Sequence, residues 1–284
     1  RQASLGAGIP AAAGCTTVNK MCGSGMKTTM LAHDLLLAET NEIMVAGGME
    51  SMTNTPYILQ KARSGQRLGH GQMMDHMFLD GLEDAFDKGT PMGVFAERTA
   101  KKYGFSREAQ DEFAIRSLTR AKKAIENGSF NNEVTPVSFK NNKVETIVEL
   151  DEQPLTANLD KIPNLRPAFE KDGTVTAANS SSISDGAAAL VMMRESTAKK
   201  SGFKPIARFL GHSSFAQAPE WFTTAPVGAI KGVLKTVGWN ADDVDLFEIN
   251  EAFAVVTMAA MNDLDLSAEK VNVLGGACAL GHPV

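Results

Sequence analysis

Apolar positions along the chain change their period several times, and each change marks an element. Thr16-Thr-Val-Asn-Lys-Met21 reads as a short buried strand and Cys22-Gly-Ser-Gly25 as a sharp turn. Residues Met26 to Glu39 read as a helix with Met26, Met30, Leu31 and Leu35 on one stripe. A strand follows at Ile43-Met-Val-Ala46, closed by Gly47-Gly48. Strand, turn, helix and strand in this order predict an α/β sheet with helical layers. From about Ser51 to Asn179 the pattern loosens into Met-rich stretches with several Gly and Pro and one clear long helix. That helix starts at Ser106, an N-cap with Glu108 and Gln110 just inside, and runs through Phe113, Ala114, Leu118 and Ala121 to Gly128. The remainder of this stretch predicts a loop-rich insertion of the kind that covers an active site. Regular patterning returns at Asp185, with strands expected at Ala187 to Met193, Ala207 to Gly211, Val244 to Ile249 and Val271 to Leu274. Helices are expected at Val227 to Val237 and Glu251 to Met261, so two α/β halves flank the insertion.

Composition narrows the class. With 284 residues, 43% hydrophobic and 21% charged, the chain can bury a sizeable core, and no apolar run approaches the ~20 residues of a membrane-spanning helix. A formal charge of -5 gives no general attraction to nucleic acid or anionic membrane, so an anionic ligand must be held by a local site. Three cysteines, Cys15, Cys22 and Cys278, argue against a disulfide framework and for a reducing compartment. No Cys-x-x-Cys or His-x-x-x-His pair supports a structural zinc. The chain starts at Arg1 without an initiator Met and stops at Val284 inside a Gly/Pro-bearing segment, which predicts a piece of a longer protein.

Cys22 stands out chemically. A buried cysteine is usually a small hydrophobe. Cys22, however, falls where a strand hands over to a helix, so its sulfur can meet the positive end of the helix dipole. Gly23 and Gly25 permit close approach of a substrate, and the first backbone N–H groups of the helix are free to hold an oxyanion. This pattern predicts a lowered thiol pKa and a nucleophile.

The segment Asn19-Lys-Met-Cys-Gly-Ser-Gly-Met26 resembles the nucleophile motif of the thiolases. Gly47-Gly-Met-Glu-Ser-Met52, Ser106-Arg-Glu-Ala-Gln-Asp-Glu-Phe-Ala114, Leu165-Arg-Pro-Ala-Phe169, Glu248-Ile-Asn-Glu-Ala-Phe253 and Gly275-Gly-Ala-Cys-Ala-Leu-Gly-His-Pro283 are similar to further thiolase segments, in the same order. The resemblance covers essentially the whole chain. It implies an α/β duplicated thiolase fold, two sheet-and-helix halves in a layered α-β-α-β-α arrangement with a loop-rich insertion. Residues 1–50 would begin the N-terminal half and 51–179 form the loop domain. Residues 180–202 would complete the N-terminal half, and 203–284 form the C-terminal half, both halves being incomplete.

The resemblance also assigns roles. Cys22 matches the acylated position, His282 the histidine that activates it, and Asn250 the asparagine that holds an oxyanion-site water, a helix cap being the other reading of Asn250. Glu251 would support them. Ser181 matches a contact to the pantetheine arm, with Ala177 and Phe169 shaping the same tunnel. Met92 and Phe222 match an acyl pocket, and Ala252 and Phe253 complete the substrate-binding set, although Met and Phe are core residues by default. Cys278 reads as packing, and His33, His70, His76 and His212 as packed or solvated. Thiolases of this type use a second cysteine in a Cys-x-Gly-Gly-Gly segment beyond the histidine, past the last residue here. Asp151-Glu-Gln-Pro154 lacks the arginine that often meets the adenine end of CoA, so that end is expected either to be held weakly or to use Lys161 or Arg166 instead.

The implied reaction is Claisen condensation of two acetyl-CoA to acetoacetyl-CoA plus CoA, and the reverse thiolysis, through an acyl-Cys22 intermediate. The branch most similar is that of the acetyl-CoA C-acetyltransferases. A longer-chain degradative 3-ketoacyl-CoA thiolase and a non-catalytic thiolase-like binder of acyl-CoA or lipid are the alternatives. CoA enters as substrate and product, with no metal or redox cofactor, no nucleic acid and no membrane partner. The expected assembly is a homodimer or homotetramer, Tyr57 to Lys88 resembling a tetramer-contact loop. The expected setting is cytoplasmic, an organellar matrix remaining open.

Overall fold

The computed structural model describes residues 1–141 and 144–284. It divides into two compact units, one made of Arg1–Glu50 and Gly186–Phe209 with Val284, the other of Ser51–Asp185 and Leu210–Pro283. Among the described residues no helix is long and apolar enough to cross a membrane.

The first unit carries α1 (Gln2–Gly6), α2 (Ser24–Leu37), β1 (Ile43–Ser51), β6 (Asp185–Met193) and α6 (Glu195–Ser201), with β1 and β6 hydrogen-bonded neighbours. The stripe expected on α2 is not its buried face. Met26 is 69% exposed, whereas Ala32 and Leu36 are buried. The face turned to the sheet is the small-residue one: Thr28 Oγ1 donates to the Gly47 carbonyl at 2.9 Å, and Gly25 lies against Gly48. Gly25, Thr28, Ala32 and Leu36 repeat at helical spacing, so small side chains set how closely helix and strand approach.

The strand expected at Thr16 to Met21 does not form. Its polar side chains turn back on their own backbone instead. Asn19 Oδ1 accepts from the Met21 N–H and Ser24 Oγ from the Lys20 N–H, each at 2.8 Å, and such local bonds compete with a sheet ladder. Ala207 to Gly211 likewise forms no ladder, and a strand exists only through a neighbour's N–H and C=O groups.

The second unit holds β2 (Tyr57–Ile58) paired antiparallel with β3 (Met74–Asp75), α3 (Met92–Tyr103), α4 (Arg107–Glu126), the antiparallel hairpin of β4 (Val137–Asn141) and β5 (Val144–Val148), α5 (Glu152–Thr156), α7 (Ala225–Val237), α8 (Ala254–Leu264) and α9 (Ala277–Leu280). Ser106 caps α4 as expected, its Oγ accepting from Ala109 N–H at 3.2 Å. The stretch is less loop-like than expected, because α3 is a second long helix in it. Its buried face includes Glu97 and Thr99, which break an apolar stripe. Glu97 accepts from the Val175 N–H at 2.8 Å and from Thr174, so a buried carboxylate ends on backbone donors.

Val244 to Ile249 and Val271 to Leu274 shrink from two strands to a single parallel bridge, Phe247 with Val271. Asn272, at φ 46°, turns its chain away, and its side-chain amide supplies the next rung: Oδ1 accepts from Ile249 N–H and Nδ2 donates to the Ile249 carbonyl, both at 2.8 Å. The following helix also starts late, at Ala254 with Phe253 as N-cap, and not at Glu251.

Gly47 permits a close approach to β6, since a Cβ there would overlap the backbone carbonyl of Ala188, while the nearest atom to a Cβ on Gly48 is 3.7 Å away. Gly47→Ala is therefore expected to cost about 3 kcal/mol and Gly48→Ala less than about 0.5 kcal/mol in urea unfolding, and equal losses would refute this packing.

Candidate active site

The Cys22 turn belongs to the first unit. Met21 is held at φ 48°, a left-handed conformation that costs a non-glycine residue roughly 1–2 kcal/mol. Three bonds offset that cost: Asn19 takes the Met21 N–H, Ser24 Oγ takes the Lys20 N–H, and the same hydroxyl donates to the Met21 carbonyl at 2.7 Å. Gly23 is the N-cap of α2, so Cys22 sits one residue before the cap and two before the first helical residue, Ser24. The expected lowering of its thiol pKa is not found. Cys22 retains surface exposure, yet partial burial pushes the thiol above its ordinary value, outweighing the backbone bond that lowers it. Cys22 therefore rests as a thiol and needs a base.

His282 and Asn250 lie in the second unit and face one another. Asn250 Nδ2 stands 3.3 Å from His282 Nε2, and in this orientation the amide donates to the ring nitrogen. Asn250 does not cap α8, which begins four residues later. Burial lowers the His282 pKa and keeps the imidazole neutral, the state a general base requires.

Both residues hang from a buried carboxylate. Glu251 is 1% exposed, and three donors end on it: Ser117 Oγ at 2.7 Å and the Cys278 N–H at 3.0 Å on Oε2, and Asn272 Nδ2 at 2.8 Å on Oε1. Ser117 in turn accepts from the Gly276 N–H at 2.9 Å. A side chain on Gly276 would overlap the carboxyl group. The segment before His282 is thereby tied to α4 and to the chain beside Asn250. Sequence reasoning gave Glu251 only a supporting place. The available signal was an acid set among apolar neighbours, and its partners Ser117 and Asn272 carried none.

Cys278 is fully buried against Phe113 and Ala254, and burial followed by the Glu251 charge holds its thiol well above the ordinary value. Met92, Phe169, Phe222 and Ala252 pack around a buried cluster that contains Phe253, with the Phe169 and Phe253 rings edge to face at 6.0 Å. Ser181 joins them through two bonds to the Ala252 carbonyl, from its N–H and its Oγ, each 3.0 Å. Ala177 is exposed and outside the cluster. Elsewhere, His33 stacks on Phe209 at 4.5 Å, and His76 lies 3.8 Å from Asp80.

Residues 1–196 match the thiolase N-terminal domain and residues 203–284 the thiolase C-terminal domain. The chain belongs to the thiolase family. It is 47% identical to a probable acetyl-CoA acetyltransferase of Dictyostelium discoideum, the match covering 100% of this chain and 69% of that protein. It is 46% identical to the acetyl-CoA acetyltransferase of Schizosaccharomyces pombe, covering 100% and 72%. The crystal structure of the Bacillus anthracis acetyl-CoA acetyltransferase superposes with a TM-score of 0.95 at 42% identity over 100% of this chain and 72% of that one. A thiolase from Ascaris suum in complex with coenzyme A gives 0.93 at 40% identity over 99% and 72%. This thiolase chain therefore has the mixed α/β thiolase fold.

Because burial depresses the His282 pKa, the unfolded chain takes up a proton first as pH falls, so this contribution to stability is present above about pH 6.5 and lost below it. Urea unfolding from pH 7.5 downward is expected to show that loss in the native chain and a smaller one in His282→Gln. Identical slopes would refute a buried neutral imidazole.

Proposed function

We propose that this thiolase condenses two acetyl-CoA molecules to acetoacetyl-CoA and CoA, and runs the reverse thiolysis, through an acyl-Cys22 intermediate. The observation that carries the proposal is the Asn250–His282 pair, a neutral imidazole with an amide 3.3 Å from its Nε2, in a chain that also retains the thiolase cysteine turn. The relatives named acetyl-CoA acetyltransferases and the Ascaris suum complex with coenzyme A support the substrate.

In the first half-reaction His282 takes the Cys22 thiol proton, and the thiolate sulfur bonds to the thioester carbonyl carbon. The carbon–sulfur bond to CoA breaks, and the imidazolium returns its proton to the departing CoA sulfur. Backbone N–H groups at the start of α2 supply donors for the oxyanion. In the second half-reaction the second cysteine that the resemblance implies takes the α-proton of the incoming acetyl-CoA, and the enolate carbon bonds to the acyl carbon. The bond from that carbon to the Cys22 sulfur breaks and the proton returns to that sulfur, while Asn250 with a water serves the enolate oxygen. Met92, Phe169, Phe222, Ala252 and Phe253 wall the acyl group, while Ser181 and Ala177 meet the pantetheine arm.

The scheme uses CoA as substrate and product and needs no metal or redox cofactor. It places the enzyme in fatty acid metabolism. Three free cysteines support a reducing, cytoplasmic setting. Exposed Leu59, Leu68, Met73 and Phe86 support a homodimer or homotetramer.

After mixing with acetyl-CoA, mass spectrometry is expected to find one acetyl group on the Cys22 peptide. His282→Ala is expected to slow its appearance ~10²–10⁴-fold. A folded chain that never acetylates Cys22 would instead be a binder of acyl-CoA without turnover.

A further inference from the structure

The chain leaves α9 by exchanging one hydrogen bond for another. In a continuing helix the His282 N–H would return to the Cys278 carbonyl, four residues back. Gly281, at φ 89° and ψ 171°, turns the backbone away, and the His282 N–H donates to the Ser182 carbonyl at 3.2 Å. A side chain on Gly281 would overlap Ser184 Oγ, so the turn admits only glycine. The exchange leaves the Cys278 carbonyl as an orphan acceptor at a helix end, in the buried part of the chain.

Gln153, from α5, fills that vacancy. Its Nε2 donates to the Cys278 carbonyl at 2.9 Å. Its Oε1 accepts from Ser182 Oγ at 2.5 Å, the residue whose carbonyl holds the His282 N–H. Ser184 Oγ donates to that same carbonyl at 3.2 Å. One amide thus meets both sides of the exchange, standing in for the lost helix donor and fastening the segment that received it. An apolar side chain of equal size would fill the volume and leave a buried carbonyl unpaired.

We propose that Gln153 is a positioning residue for His282: by taking the Cys278 carbonyl and holding Ser182, it fixes the turn that presents the imidazole. The inference rests on the reading of His282 as the base of acyl transfer. Gln153 touches no reacting atom. Its effect is on where the imidazole sits and how well it is kept from water, and burial is what lowers the ring's pKa.

The test is Gln153→Met, which keeps length and loses both bonds, compared with the native chain in two measurements. The first is the His282 pKa by NMR titration, its resonance identified with His282→Gln. The second is steady-state thiolysis of acetoacetyl-CoA. The expected result is a His282 pKa raised toward the ordinary histidine value, with kcat reduced ~10- to 100-fold and KM changed less than about twofold. An unchanged pKa overturns the proposal, whether kcat is unchanged or falls together with the melting temperature, since the second pattern marks a merely structural residue. If Gln153→Met does not fold, Gln153→Glu carries the same readings, because a carboxylate still accepts from Ser182 and cannot donate to the Cys278 carbonyl. Should the native chain show no thiolysis, the proposed function fails, and the titration alone still decides the role of Gln153.

Discussion

The second unit is organised around the buried Glu251 carboxylate, whose oxygens end on uncharged donors. Burying an ionised group is costly unless its oxygens are hydrogen-bonded, and Glu251 meets that condition with a hydroxyl, a side-chain amide and a backbone N–H. Those donors come from α4, from the turn at Asn272 and from the first turn of α9. Two of these segments are short of conventional partners by themselves: α9 has four residues, and Asn272 holds a left-handed conformation. The carboxylate satisfies all three at once, and the chain that continues from them carries Asn250 on one side and His282 on the other.

Chemistry follows from how the two reactive groups are kept. Burial disfavours charge on both, raising the Cys22 thiol and lowering the His282 imidazole. Neither is stored as an ion, so in the proposed reaction the proton leaves sulfur only when a thioester is there to be attacked. A thiol of this kind is less exposed to wasteful alkylation and oxidation than a standing thiolate. The strain at Met21 and the bonds from Asn19 and Ser24 fix the direction of the Cys22 backbone before substrate arrives.

Long periodic elements were legible in the sequence. The positions of α2, α4 and α7 follow from caps, glycines and helical spacing, and that of β6 from its apolar run, whereas β1 runs on through Gly47-Gly48 to Ser51, past the end expected at Ala46. What could not be read was where polar side chains substitute for backbone. Asn19 and Ser24 dissolve the strand expected before Cys22, Asn272 replaces a rung between Val271 and Ile249, and Glu97 interrupts the stripe of α3. The same holds at the site. Cys22, His282 and Asn250 stand in motifs that resemble the family's, whereas the thiol's upward shift depends on surroundings that no local spacing encodes. Gln153 and Ser117 carry no motif, and their importance exists only once distant segments meet.

Glu251→Gln isolates the central interaction, because it preserves shape and replaces one acceptor by a donor. Either amide orientation opposes a fixed donor, Asn272 Nδ2 in one and the Cys278 N–H in the other. The decisive measurement is hydrogen exchange at the Cys278 amide, with urea unfolding as its companion. The account predicts lost protection at that amide and a stability loss of about 1–3 kcal/mol. Native-like protection and unchanged stability in Glu251→Gln would contradict it.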